Sequence, residues 1–173
     1  MNLLGEAPLW AQLVLVAILF VAAAQDIVRR QISNWLCLAV MIAAIPVIVA
    51  IGPSLALWQN ALIFALLLAI GTSLFAAGWL GGGDVKLLAA LGLWTNFTAI
   101  LPLLACILIT GGVLAAVSMA VRGRRVARRT KGVPYGVAIA IGASIVLLQP
   151  TLFEAKSQPA SPLDLKAARA LAR

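Results

Sequence analysis

The strongest constraint on this chain is that its charges avoid long apolar runs and sit in the short gaps between them or toward the chain ends. A run of about 20 apolar residues is what a helix needs to cross the hydrocarbon of a bilayer. Soluble domains are about half apolar and about a quarter charged. Here 64% of the 173 residues are hydrophobic and 10% are charged. A water-soluble core of this size could not hide so much apolar surface. The expected class is therefore an all-α membrane protein, a polytopic bundle of about six transmembrane helices. The spacing predicts helices near Pro8 to Asp26, Asn34 to Ile51, Trp58 to Trp79, Phe97 to Val121 and Pro134 to Gln149. A further short helix, ending near Trp94, follows a Gly-rich loop and at about 11 residues cannot cross alone.

The net charge of +8 would suggest nucleic acid as a partner in a soluble protein. Here the basic residues mark the ends of spans, so no nucleic-acid partner is expected. Arg29 and Arg30 follow the first helix, Lys86 follows the glycines, and Arg122, Arg124, Arg125, Arg128, Arg129 and Lys131 follow the fifth helix. All fall on one side of a membrane, while the opposite connections, Gly52 to Leu57 and Thr95-Asn96, carry no charge. The positive-inside rule then puts the charged side in the cytoplasm and both termini outside. The last basic cluster reads as a topology anchor in contact with membrane lipid. Glu6 and the absence of early positive charge argue against a signal peptide, so the first span is expected to be retained. Residues 1–150 are expected to form the membrane domain and residues 151–173 a basic outer tail, disordered or a short helix.

With no histidine and two cysteines, Cys37 and Cys106, far apart in apolar runs, no metal or other cofactor is expected. Both thiols read as small buried hydrophobes. The tryptophans read as interfacial belts. Of five acidic residues, only Asp26 and Asp84 lie within the membrane body. Asp26 ends a helix running inward and Asp84 starts one running outward, so the topology brings them to one level. Two such carboxyl groups can share a proton and a water molecule, the arrangement of an aspartyl protease dyad. Asp84 reads as the N-cap of the short helix, where the dipole favours its charge, and Asp26 stands at the disfavouring end of its helix. On that reading Asp84 activates water and Asp26 is the acid. Arg29 and Arg30 lie within reach of Asp26 and form an alternative surface ion pair. Lys86 is either an interfacial lysine that snorkels or a charge that tunes the pair or meets substrate. Gly81, Gly82 and Gly83 supply bare backbone along which an extended peptide could lie.

Gly81-Gly82-Gly83-Asp84-Val85-Lys86-Leu87-Leu88-Ala89-Ala90-Leu91-Gly92 resembles the second active-site motif of prepilin peptidases, the GxGD class of membrane aspartyl proteases. Asp26-Ile27-Val28-Arg29-Arg30-Gln31-Ile32-Ser33-Asn34 is similar to the segment that holds their first aspartate. Ser33 stands where proline is usual, which loosens that turn. Pro134-Tyr135-Gly136-Val137-Ala138 resembles the start of their last helix. The resemblance implies an aspartic endopeptidase of the bacterial inner membrane, with Asp26 and Asp84 catalytic and facing the cytoplasm. It also implies a prepilin substrate with a basic leader and an apolar helix. The N-terminal cysteine cluster of the larger, methylating build is missing, so the chain resembles the small peptidase-only kind associated with Flp pili. The competing reading is a proton-coupled transporter with Asp26 and Asp84 as proton carriers. Oligomeric state is not legible.

Overall fold

The computed structural model describes residues 1–52, 55–129 and 135–148. Among these, the ordered elements are helices: α1 (Leu3–Glu6), α2 (Leu9–Arg29), α3 (Asn34–Ile51), α4 (Leu57–Ala76), α5 (Gly82–Gly92), α6 (Phe97–Arg129) and α7 (Tyr135–Leu148). Four stretches are long and apolar enough to cross a membrane: Leu9–Arg29, Asn34–Ile51, Leu57–Ala76 and Phe97–Ala120. The all-α polytopic class expected from the sequence is the one observed. Residues 149–173, which include the whole expected tail, lie outside the described residues, as do Pro134 and Lys131.

The helix ends follow from local chemistry. Arg30 takes the left-handed C-cap of α2, at φ 51°, a conformation that closes many helices and that glycine usually supplies. Ser33 caps α3, its Oγ accepting the Trp35 N–H at 3.3 Å. Gly52 closes α3 at φ 94°. Hydropathy predicts an end near Val121 for the helix that starts at Phe97, but α6 continues through the basic cluster to Arg129. Arginine and alanine are good helix formers, and leaving the hydrocarbon does not oblige a helix to stop.

Helix α5 is the centre of the bundle. It packs against α3, α4 and α7, and α7 packs in turn against α2 and α6. Val85, Leu87, Ala89, Ala90 and Leu91 are buried. At 11 residues, α5 is about 16 Å long, roughly half the thickness of the hydrocarbon. The other half is filled from the N-terminal side. Leu4 N–H donates to Trp94 O at 3.0 Å. Asn60 Nδ2 donates to Met1 O at 3.0 Å and to Leu93 O at 2.8 Å. Trp94 is fully buried and its Nε1 donates to Val40 O at 3.0 Å. The expectation of an interfacial Trp94 is thus corrected: its indole is a core group with a satisfied N–H. Trp10, Trp35, Trp58 and Trp79 are exposed at helix ends, as an interfacial belt requires.

Small residues let the helices touch. A methyl group at Gly142 in α7 would lie 2.8 Å from the backbone N and Cα of Ile107 in α6, the close approach typical of helix packing in membranes. Gly112, in α6, has nothing within 4 Å of the same position. Gly142→Ala should therefore destabilise by about 1–3 kcal/mol through overpacking. Gly112→Ala should be neutral or stabilising by up to about 1 kcal/mol, since alanine is the better helix former. Thermal melting of both variants in detergent, followed by tryptophan fluorescence, checks the contrast.

Candidate active site

Asp26 lies one turn from the end of α2 and is buried, at 6% exposure. Its Oδ2 accepts the Gly136 N–H at 2.8 Å, and the Val137 amide also faces the carboxyl group. Gly136 is the second residue of α7, so its N–H belongs to the first turn, where backbone donors have no partner within the helix. The sequence set Asp26 against the negative end of α2 alone. The positive end of α7 meets it as well. Gly136 cannot carry a side chain here: a methyl group would lie 2.9 Å from Asp26 Oδ2. Arg30 is near enough for its charge to bear on Asp26.

Asp84 is not the N-cap that its sequence position suggested. The N-cap is Gly81, and α5 begins at Gly82, which makes Asp84 the third helical residue. From there its carboxylate folds back to accept the Gly81 N–H, one half of a capping box. Gly81 permits this, because a methyl group on it would lie 2.6 Å from Asp84 Oδ2. Asp84 Oδ1 is buried and accepts no hydrogen bond among the described residues. Burial pushes the Asp84 carboxyl up to about 6, the negative charge of Asp26 adds to the rise, and the Gly81 amide opposes it. The two carboxyl groups are thus within electrostatic reach of each other, from helices that start or end at one level.

The glycines are placed differently from the sequence expectation. Gly82 and Gly83 belong to the first turn of α5, and Gly81 has φ −76°. The positive-φ residue of the α4–α5 connection is Gly78, at 78°. Nor is the backbone of Gly82 and Gly83 bare. A methyl group at Gly82 would lie 3.4 Å from the Phe75 ring, and one at Gly83 would lie 3.0 Å from Ile32 Cβ. Gly81 keeps extended, exposed backbone, whereas the loop expected at Gly82 and Gly83 is corrected to a close-packed helix start. Lys86 Nζ donates to Asn34 Oδ1 at 2.9 Å and remains exposed, tying α5 to the first turn of α3 rather than meeting a carboxylate. Cys37, buried as expected, points its Sγ at Gly83 O, 3.9 Å away. Sequence reasoning gave no role to Gly136, Ile32 or Asn34. The start of an apolar run directly after Pro134-Tyr135 was the signal available for Gly136. No group of metal-ligating side chains occurs among the described residues.

Fold and site together define a polytopic helical membrane protein with two carboxyl groups within electrostatic reach of each other at one end of the bundle. Residues 13–117, more than half of the chain, match the model of the type IV leader peptidase family, and the chain belongs to that family. It is similar to the prepilin leader peptidase/N-methyltransferase of Xanthomonas campestris pv. campestris, 37% identical over 67 residues. That alignment covers 39% of this chain and 22% of the relative, so the shared stretch is a small part of the longer protein. No solved structure matches the chain.

The raised Asp84 acidity has a definite sign in stability. With an ordinary value of 3.8 and a folded value of about 6, the native state holds more protons between them, so stability falls as pH rises through that window. Asp84→Asn removes the buried charge. It should raise the melting temperature at pH 7.5, and the gain should shrink as pH falls below about 6 and vanish only below about pH 3, where Asp84 is protonated folded and unfolded alike. Melting curves of the two proteins across this range test it.

Proposed function

We propose that this protein is an aspartic endopeptidase that removes the basic leader from prepilins, with Asp26 and Asp84 as its catalytic pair. The observation that carries the reading is the convergence of the two carboxyl groups in a member of this family. One is held by the first turn of α7 and the other lies in the first turn of α5. The dipole argument made Asp84 the water activator. Burial and the Asp26 charge raise Asp84 against the pull of the Gly81 amide at the same helix start, so we assign the roles the other way. Protonated Asp84 polarises the scissile carbonyl, and Asp26 takes a proton from the attacking water. The proton then passes to the leaving amine, and no covalent intermediate forms.

The cut lies at the cytoplasmic face of the inner membrane, with both termini outside, as the basic residues argue. There the leader can be extended and wet while the apolar helix of the substrate stays in the lipid. The substrates are Flp-type pilins and pseudopilins. Lys86 and the arginines Arg29 and Arg30 flank the point of entry.

Co-expression with a prepilin tests the reading. Wild type should remove the leader, while Asp26→Asn and Asp84→Asn should each lower cleavage by at least 10³-fold, as loss of a proton-transfer residue does, with membrane levels unchanged. Cleavage that survives either amide overturns it, and ion flux without cleavage would favour the transporter. Because the active pair carries one proton, kcat/KM, which reports the free enzyme, should fall as pH rises above about 6.

A further inference from the structure

Ile32 is an apolar residue that lies against the backbone carriers of both aspartates. It sits in the non-helical link between α2 and α3 and is buried, at 8% exposure. On one side it faces Gly83, which directly precedes Asp84: a methyl group at Gly83 would lie 3.0 Å from Ile32 Cβ and 3.2 Å from its backbone N and O. On the other side it faces Gly136, whose N–H holds Asp26: a methyl group there would lie 2.9 Å from Ile32 Cδ1. Its branch point therefore rests on the first turn of α5 and its tip on the first turn of α7. The link that carries it is fixed at both ends. Arg30 N–H donates to Asp26 O at 2.9 Å, and Ser33 N–H donates to Gln25 Oε1 at 3.2 Å.

We propose that Ile32 is a positioning residue, a spacer that sets the separation of the Asp26 and Asp84 carboxyl groups by holding the starts of α5 and α7 apart. Two features set it apart from ordinary core packing. Both contacts are to glycines, so no side chain of either helix start stands between Ile32 and the Gly83 or Gly136 backbone. Each glycine is also adjacent to, or bonded to, one of the two acids. Close-packed interiors transmit small volume changes of this kind into backbone shifts. The inference rests on the peptidase reading for its kinetic consequences but not for its geometry.

Two measurements on the full chain in detergent or liposomes separate those layers. The first needs no activity. In a background with Cys37 and Cys106 replaced by alanine, Asp26→Cys and Asp84→Cys are captured by bifunctional thiosulfonates of two different lengths. With Ile32 present one length should be favoured; Ile32→Ala should change the yield ratio at least threefold, and Ile32→Val should fall between. An unchanged ratio overturns the spacer. The second is prepilin cleavage with wild-type aspartates. Ile32→Ala should lower kcat at least tenfold with KM changed less than threefold, and Ile32→Val, which keeps the branch point, should recover part of it. A fall in kcat that merely follows the fraction of folded protein, measured by tryptophan melting, would also overturn the proposal. A chain that shows the cross-linking response but cleaves no prepilin would retain the spacer and refute the peptidase reading.

Discussion

A carboxyl group withdrawn into an apolar bundle must find a substitute for water, or its burial costs several kcal/mol. The bond from Gly136 N–H to Asp26 Oδ2 supplies that substitute for one acid, and it joins residues 110 positions apart. Much of the architecture follows from it. Helix α7 must begin at the level where α2 ends, with a residue of minimal bulk in its first turn. Asp84 draws on the same resource, the unpaired amides at the start of a helix, but takes its amide from Gly81 on its own chain segment. Two helix starts thus aim at one small volume, and each requires a glycine there.

The shortness of α5 is a consequence of the same requirement. A helix that began at the interface and crossed fully would present Asp84 at one end and otherwise behave as one more span. A half-length helix instead leaves space beyond its C-terminus that lipid cannot fill. That space is sealed by α1, by buried Trp94, and by Asn60, which gathers the carbonyls of Met1 and Leu93. The bundle is therefore closed and tightly packed at one end, and Asp26 and Asp84 lie at the other.

The architecture was legible because hydropathy and charge placement govern where helices can begin and end in a membrane. Asn34–Ile51 was read with its observed limits, since Ser33 and Gly52 punctuate it chemically. The short helix and the shared level of the two aspartates followed from length and alternation of direction. What was not legible depends on contacts between distant residues. Nothing local marks Trp94 as buried while Trp79 is exposed. Nor does composition reveal that the glycines are spent on packing against Phe75 and Ile32 rather than on a free loop. Asp84 was placed at the N-cap because aspartate favours it; glycine took that position and left aspartate to reach back from the first turn.

Ser33 shows how the site tolerates a departure from the pattern it resembles. A proline there would fix φ near −65° and stabilise the turn by about 0.4–1 kcal/mol through the unfolded chain. Ser33 already has φ −66°, so the backbone that a proline would impose is present without it. In exchange the serine makes two hydrogen bonds that proline could not: its N–H to Gln25 and its Oγ from Trp35. At a net value of about 1 kcal/mol each, these match or exceed what the ring would supply. The turn that looked loosened from sequence is therefore held by polar contacts to α2 and α3. The residue it presents to the site, Ile32, stays seated between the two glycines.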